Sequence, residues 1–175
     1  GLRCKTCGGK LKECTGHFGY IELARPAIHI KFVRQILDLL KSSCKHCGRI
    51  LIPEEKIGAY SKDLDKIEKE EGFEARRKMV KAITAKYKLK EKCAHCEKKQ
   101  GKIKIEKPYN YYEDEIKLSP IEIRARLEKI SDSDLKVLGF NFSSIRPEWM
   151  VMTVLSIPPV TMRPSITLES GERSE

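Results

Sequence analysis

The chain has 175 residues, 40% hydrophobic and 34% charged, with a formal net charge of +10. That length suits one ordinary domain with a core of its own, and no apolar run approaches the ~18 residues of a membrane-spanning helix. The start carries no apolar stretch of the kind a secretory signal needs, so the expected location is intracellular, in the cytoplasm.

Neither terminus reads as a finished one. The chain opens on Gly1-Leu2 and stops in "SGERSE", and the expectation is a piece of a longer polypeptide.

The first element is Cys4-x2-Cys7-x6-Cys14-x2-His17. Zinc(II) has a filled d shell and accepts thiolate sulfur and imidazole nitrogen in a closed tetrahedron. A two-residue spacer lets two side chains of one tight turn converge on one ion. Gly8, Gly9 and Gly16 supply the backbone freedom such turns need. "YIELARPAIHI" then reads as extended chain broken at Pro26, with His29 packed rather than ligating. "FVRQILDLLKS" places Phe32, Ile36, Leu39 and Leu40 at helical spacing.

Cys44-x2-Cys47 follows, and its partner Cys93-x2-Cys96 comes 45 residues later. Together they form a second set of four donors. His46 and His95 lie inside the two spacers, where four sulfurs already complete the set, so they point outward or meet the backbone. Read separately, each pair would instead be a redox or unpaired motif. Residues 61–92 read as helical, capped by Ser61 and interrupted at Gly72, with Phe73, Met79, Val80, Ile83 and Tyr87 along one face. This helical insertion returns the chain to Cys93.

"GKIKIEKPYNYY" alternates like a half-exposed strand and ends in Tyr109, Tyr111 and Tyr112, read as packing rather than base-stacking residues. "SPIEIRARLEKI" carries a capping box of Ser119 and Glu122 with Pro120 at the first helical position; Ile121, Ile123, Leu127 and Ile130 form its apolar side. "SDSDLKVLGF" repeats the device from Ser131 and Asp134 and stops at Gly139. "EWMVMTVLSI" reads as a fully apolar strand buried in a core, and "PPVTMRPS" as a proline-stiffened, extended exit.

Both donor sets are complete at four, whereas catalytic zinc usually keeps an open position. No His-Glu-x-x-His, P-loop, Gly-x-Ser-x-Gly or deaminase signature occurs. The expectation is two structural zinc ions and no catalytic residue.

Charge is uneven. Lys and Arg outnumber Asp and Glu by 10 to 3 over residues 1–53 and by 12 to 3 over residues 74–104. Residues 54–71 and 105–175 are net acidic. Positive charge therefore travels with the cysteine pairs, a pattern that suits a polyanion partner, with a lysine-rich solvated face as the alternative reading. By charge alone the nucleic-acid candidates are Arg76, Arg77, Lys78, Lys81, Lys98 and Lys99. No base-reading motif is visible, so phosphate contacts are expected.

"CTGHFGYIELARPAIH" resembles the zinc-binding stretch near the start of the largest subunit of multisubunit DNA-directed RNA polymerases. "RPEWMVMTVLSIPPVTMRPSITLESGERSE" resembles the later segment that follows the second zinc site. The compact pair at Cys93 and Cys96 is closest to the archaeal A′ type. Thr15 stands where the family has proline.

The resemblance implies a clamp, or clamp head, that closes over DNA and RNA in the cleft. It also implies docking of transcription initiation factor E and a NusG-like elongation factor, and contact with the other polymerase subunits. The zinc ligands implied are Cys4, Cys7, Cys14 and His17 at one site, and Cys44, Cys47, Cys93 and Cys96 at the other. The family's nucleotidyltransferase chemistry uses catalytic magnesium on a later Asp-rich loop that this sequence does not contain.

The expected fold is α+β, a zinc-stabilised module of short helices and small strands. Residues 1–53 would hold the first zinc site, a helix and half of the second site. Residues 54–104 would be the charged insertion that closes the second site, and residues 105–175 the helix pair, buried strand and exit, all in one clamp module. The alternative is a free-standing zinc-ribbon protein that binds nucleic acid; a zinc-dependent enzyme would need an exchangeable ligand position, which neither set offers.

Overall fold

The computed structural model describes residues 1–88, 90–140 and 145–174. Leu89, at the end of the expected helical insertion, lies outside them, as does Glu175. Helices and short strands are mixed, as the α+β expectation has it. No helix among the described residues is long and apolar enough to cross a membrane. The chain divides into two compact units, residues 1–24 with 153–175, and residues 25–152.

Strand β1 (Gly19–Ile28) pairs with β5 (Val151–Ile157) in a two-stranded sheet. β1 runs straight through Pro26 instead of breaking there. In two strands every strand is an edge, and an edge has positions where a missing N–H costs no ladder bond. β5 is not the buried strand expected from its composition. Val151 is buried, but Val154 and Leu155 are 45% and 44% exposed. Apolar content marked it as a strand without saying whether anything lies over it. The following prolines do not simply extend: Val160–Met162 form a 3-10 turn, and a short hairpin of β6 (Ile166–Thr167) and β7 (Arg173–Ser174) follows.

In the larger unit, α1 (Val33–Ser42) buries Ile36, Leu39 and Leu40, three positions on one helical face. α2 (Glu54–Glu71) begins seven residues before Ser61, which therefore sits inside the helix rather than capping it. Glu54 and Glu55 in the first turn complement the helix dipole, and Ile57 and Leu64, two turns apart, anchor the buried stripe. Gly72, at φ 85°, ends α2 and admits α3 (Phe73–Tyr87), which packs on α2. Met79 and Val80 pack against the core that Ile83 and Tyr87 enter, but Phe73 is 64% exposed.

The expected single strand is a three-stranded antiparallel sheet of β2 (Ile103–Glu106), β3 (Asn110–Glu113) and β4 (Ile116–Leu118). Tyr111 is buried and donates its hydroxyl to the Val33 carbonyl at 2.7 Å, which is packing, as read. α4 (Pro120–Glu128) has the capping box complete in both directions. Ile123 and Leu127 are buried, while Ile121 is exposed. α5 (Asp132–Val137) is capped by Ser131 and closes at Gly139, whose N–H donates to Lys136 while that of Phe140 donates to Leu135.

Candidate metal centres

Three Cys-x-x-Cys turns share one backbone design. In each, the first cysteine's N–H donates to the carbonyl five residues on: Cys4 to Gly9 at 2.9 Å, Cys44 to Arg49 at 2.8 Å, Cys93 to Lys98 at 3.1 Å. In each, the same cysteine's carbonyl accepts from the residue after the second cysteine, namely Gly8, Gly48 or Glu97. Antiparallel bridges Arg3 to Lys10, Ser43 to Ile50 and Lys92 to Lys99 close the three hairpins. The result is a tight turn with both thiols on its inner side.

Gly48 is fixed by more than its φ of 75°. A Cβ there would lie 2.5 Å from the Lys129 Cβ and 2.7 Å from the Lys129 carbonyl oxygen. The second turn is therefore seated directly on the end of α4.

One donor atom from each of Cys4, Cys7, Cys14 and His17 lies within 4.8 Å of the other three, and the same holds for Cys44, Cys47, Cys93 and Cys96. The Cys44 and Cys96 sulfurs are 3.6 Å apart and those of Cys47 and Cys93 3.7 Å. A tetrahedron with zinc–sulfur bonds of about 2.3 Å places its sulfurs about 3.8 Å apart. A disulfide would need about 2.05 Å, and all seven cysteines are free. At the first cluster the Cys14 sulfur and His17 Nε2 are 3.4 Å apart, again a ligand–ligand spacing. The two clusters fit two zinc sites.

The 45-residue interval in the second set is spanned by α2 and α3, which bring the second half-site back to the first. Neither spacer histidine belongs to a cluster. His95 sits 2.8 Å from the Ile52 carbonyl through Nε2, a backbone contact as expected. His29 is half-buried, and its Nδ1 caps the short turn that follows by accepting from the Lys31 N–H at 3.2 Å.

Backbone amides favour thiolate at two positions. The N–H groups of Cys7 and Thr6 bring Cys4 down to about 6. Burial pushes the Cys44 thiol up, but the N–H groups of Cys47 and His46 outweigh it and bring it down to about 7. Burial and the neighbouring thiols push Cys47 up to about 12. Four sulfurs in one shell cannot all ionise without a cation; a divalent ion removes that conflict by deprotonating its thiols.

The family described as RNA polymerase Rpb1, domain 1 matches residues 1–175. The chain belongs to that family. Among its relatives, the DNA-directed RNA polymerase subunit Rpo1N of Methanothermobacter thermautotrophicus strain Delta H is 53% identical over 175 residues, covering 99% of this chain and 20% of the relative. Rpo1N of Sulfolobus acidocaldarius is 49% identical over 181 residues, covering 100% of this chain and 20% of the relative. Rpo1N of Halobacterium salinarum is 32% identical over 251 residues, covering all of this chain and 25% of the relative. The chain thus spans a fifth to a quarter of the length of these relatives.

In this Rpb1 domain, the basic candidates fall in two places. Arg76, Arg77, Lys78 and Lys81 lie on α3, where Arg76 is held by Glu68 at 2.8 Å and Arg77 by Glu74 at 3.7 Å. Lys98 and Lys99 lie on the third cysteine turn. Lys99 lines a groove of about 810 Å³ that sequence reasoning missed. Lys41, Lys45, Lys90, Lys102, Lys104 and Arg126 line it too, against Glu91, Glu113 and Asp114. Lys45 and Arg126 neutralise the buried Glu113, the former at 3.4 Å. The remaining lysines give the groove its positive sign. They come from segments scattered over residues 41–104, so no local run announces them.

Gln100 escaped sequence reasoning, and Asp134, read as the second half of a capping box at Ser131, gives its carboxylate to other partners. Asp134 is fully buried and accepts from Arg49 and from the Ile50 N–H, tying the second cysteine turn to α5. Gln100 reaches the second cluster itself, with Nε2 3.2 Å from the Cys44 sulfur.

Proposed function

We propose that this chain is the clamp, or clamp head, of the largest subunit of an archaeal-type DNA-directed RNA polymerase. It carries no part of the active site; the catalytic magnesium belongs to a segment of the subunit outside this sequence. Its role is to close over DNA and RNA in the cleft, and to offer a docking surface to transcription initiation factor E and a NusG-like elongation factor. Its permanent partners are the other polymerase subunits.

The observation that carries this reading is the family match across residues 1–175 joined to two four-donor clusters. Two structural zinc ions, one on Cys4, Cys7, Cys14 and His17 and one on Cys44, Cys47, Cys93 and Cys96, would supply folding energy to the module. The positive groove supports phosphate contact, and Lys99 is the sequence candidate that lies on it.

Closure is tested in a reconstituted archaeal polymerase with one dye on an exposed α3 position, Lys78, and another on the opposite wall of the cleft. The clamp reading predicts a shorter distance once template and RNA are loaded. A distance indifferent to nucleic acid contradicts it.

A further inference from the structure

The three cysteine turns are followed by equivalent positions, seven residues after each first cysteine: Leu11, Leu51 and Gln100. The equivalence of the last two is visible in the backbone, since the Leu51 N–H donates to Ser42 at 2.8 Å and the Gln100 N–H donates to Glu91 at 2.8 Å. Leu51 is buried and packs against Cys44, Cys93 and Cys96. Leucine is therefore what the turn itself accepts at this place. A carboxamide at residue 100 needs a different reason.

Its hydrogen bonds supply one. Gln100 Nε2 donates to the Cys44 sulfur at 3.2 Å and to the Lys98 carbonyl at 2.8 Å, while Oε1 accepts from the Lys45 N–H at 3.2 Å. The Lys45 donor fixes which end of the amide is oxygen, so the nitrogen faces sulfur without ambiguity. One side chain thus links the third turn to the second across 56 residues of sequence. Cys44 also receives the His46 N–H at 3.3 Å, leaving its sulfur with two donors; Cys93 receives the His95 N–H at 3.4 Å.

We propose that Gln100 is a positioning residue of the second metal site: it orients the Cys44 sulfur and locks the two half-sites together by donating across from the opposite turn. The proposal rests on the reading of Cys44, Cys47, Cys93 and Cys96 as a metal site. A donor to a ligating sulfur spreads its negative charge and fixes its direction, and loss of such a partner typically costs 10–100-fold in metal affinity.

The test uses the full chain loaded with zinc or cobalt(II) and two variants, Gln100→Leu and Gln100→Glu. Leucine removes both functions of the amide at a position where the turn accepts it. Glutamate keeps an acceptor for the Lys45 N–H but turns an oxygen towards the sulfur. The readouts are the rate at which each of the two metals passes to a chelator, and the sulfur-to-cobalt charge-transfer absorption. Expected is acceleration of one release phase by about 10–100-fold, larger for Gln100→Glu than for Gln100→Leu, with a shifted charge-transfer band. The other phase, from the cluster of Cys4, Cys7, Cys14 and His17, stays as it was and reports that the variants have folded.

If Gln100→Glu matches the parent and only Gln100→Leu suffers, the amide merely bridges backbone groups and the proposal falls. Unchanged release and absorption in both variants overturn it as well. Uptake of a single metal by the parent chain would instead remove the second site itself, a separate failure that the parent's own titration reveals.

Discussion

Arg49 Nε donates to Asp134 Oδ2 at 2.8 Å, joining two residues 85 positions apart, and Asp134 has no exposed surface. The same carboxylate accepts from the Ile50 N–H at 3.1 Å. Its hydrogen bond to Asp134, opposed by partial burial, pushes the Arg49 guanidinium above its ordinary range. The second cysteine turn is thus fastened to α5 by a charge that has no route to water.

Removing either partner should not be equivalent. Arg49→Met strands the buried carboxylate and is expected to cost about 3–5 kcal/mol. Asp134→Asn retains an acceptor for Ile50, and the freed Arg49 side chain, 32% exposed, can turn to solvent. It should cost less. Urea denaturation of both variants checks the order; equal losses would mean the backbone bond to Ile50, not the ion pair, holds the turn.

The turn repeat makes a second prediction. Gly8 and Gly48 occupy the left-handed region at φ 71° and 75°, and Glu97 takes the equivalent place at φ 59°. A side chain there costs about 1–2 kcal/mol, partly offset by the greater unfolded-state freedom of glycine. Glu97→Gly should therefore stabilise the chain by up to about 1 kcal/mol, seen as a higher urea midpoint. A lower midpoint would show that the Glu97 side chain contributes more than its strain costs.

Glu122 couples stability to pH. Hydrogen bonds from the backbone N–H and the hydroxyl of Ser119 hold its carboxyl below the ordinary value of 4.5. A carboxylate with a depressed folded pKa contributes fully above 4.5, and the contribution is lost as pH falls through the folded value. The stability difference between the parent and Glu122→Ala should be about 0.3–1 kcal/mol at pH 7 and should shrink below pH 4.5. Metal loss in acid is common to both proteins and drops out of the difference. A pH-independent difference would mean that the helix, not the carboxylate, is what the substitution perturbs.

What could be read from the sequence depended on how far apart the cooperating residues lie. The metal donors announce themselves because two cysteines three apart must share a turn. The Ser119–Glu122 box and the Gly72 break are equally local. Gln100 and Asp134 act on partners 56 and 85 residues away, where no spacing rule reaches. Ser61 is a sound cap in isolation, but Glu54, Glu55 and buried Ile57 start the helix earlier. β5 misled for a different reason: burial is a property of what covers a strand, and Val154 and Leu155 have the same apolar side chains whether covered or not.

The groove makes a fourth prediction. Each lysine that meets a phosphate releases counterions and contributes roughly −0.9 to the slope of log affinity against log salt on duplex DNA. Lys99→Glu with Lys102→Glu and Lys104→Glu should weaken duplex binding at every sequence tested and flatten that slope. Lys78→Glu with Lys81→Glu, on α3, should do less if the groove is the contact surface. The reverse order would return the interface to the helix.

The central claim is that eight side chains form two closed four-ligand zinc sites. Metal content of the natively purified chain, taken with zinc X-ray absorption, tests it most directly. The account predicts two zinc ions per chain whose combined first shell holds the seven cysteine sulfurs and the His17 nitrogen. A single ion per chain, or a first shell rich in oxygen from water, would contradict it.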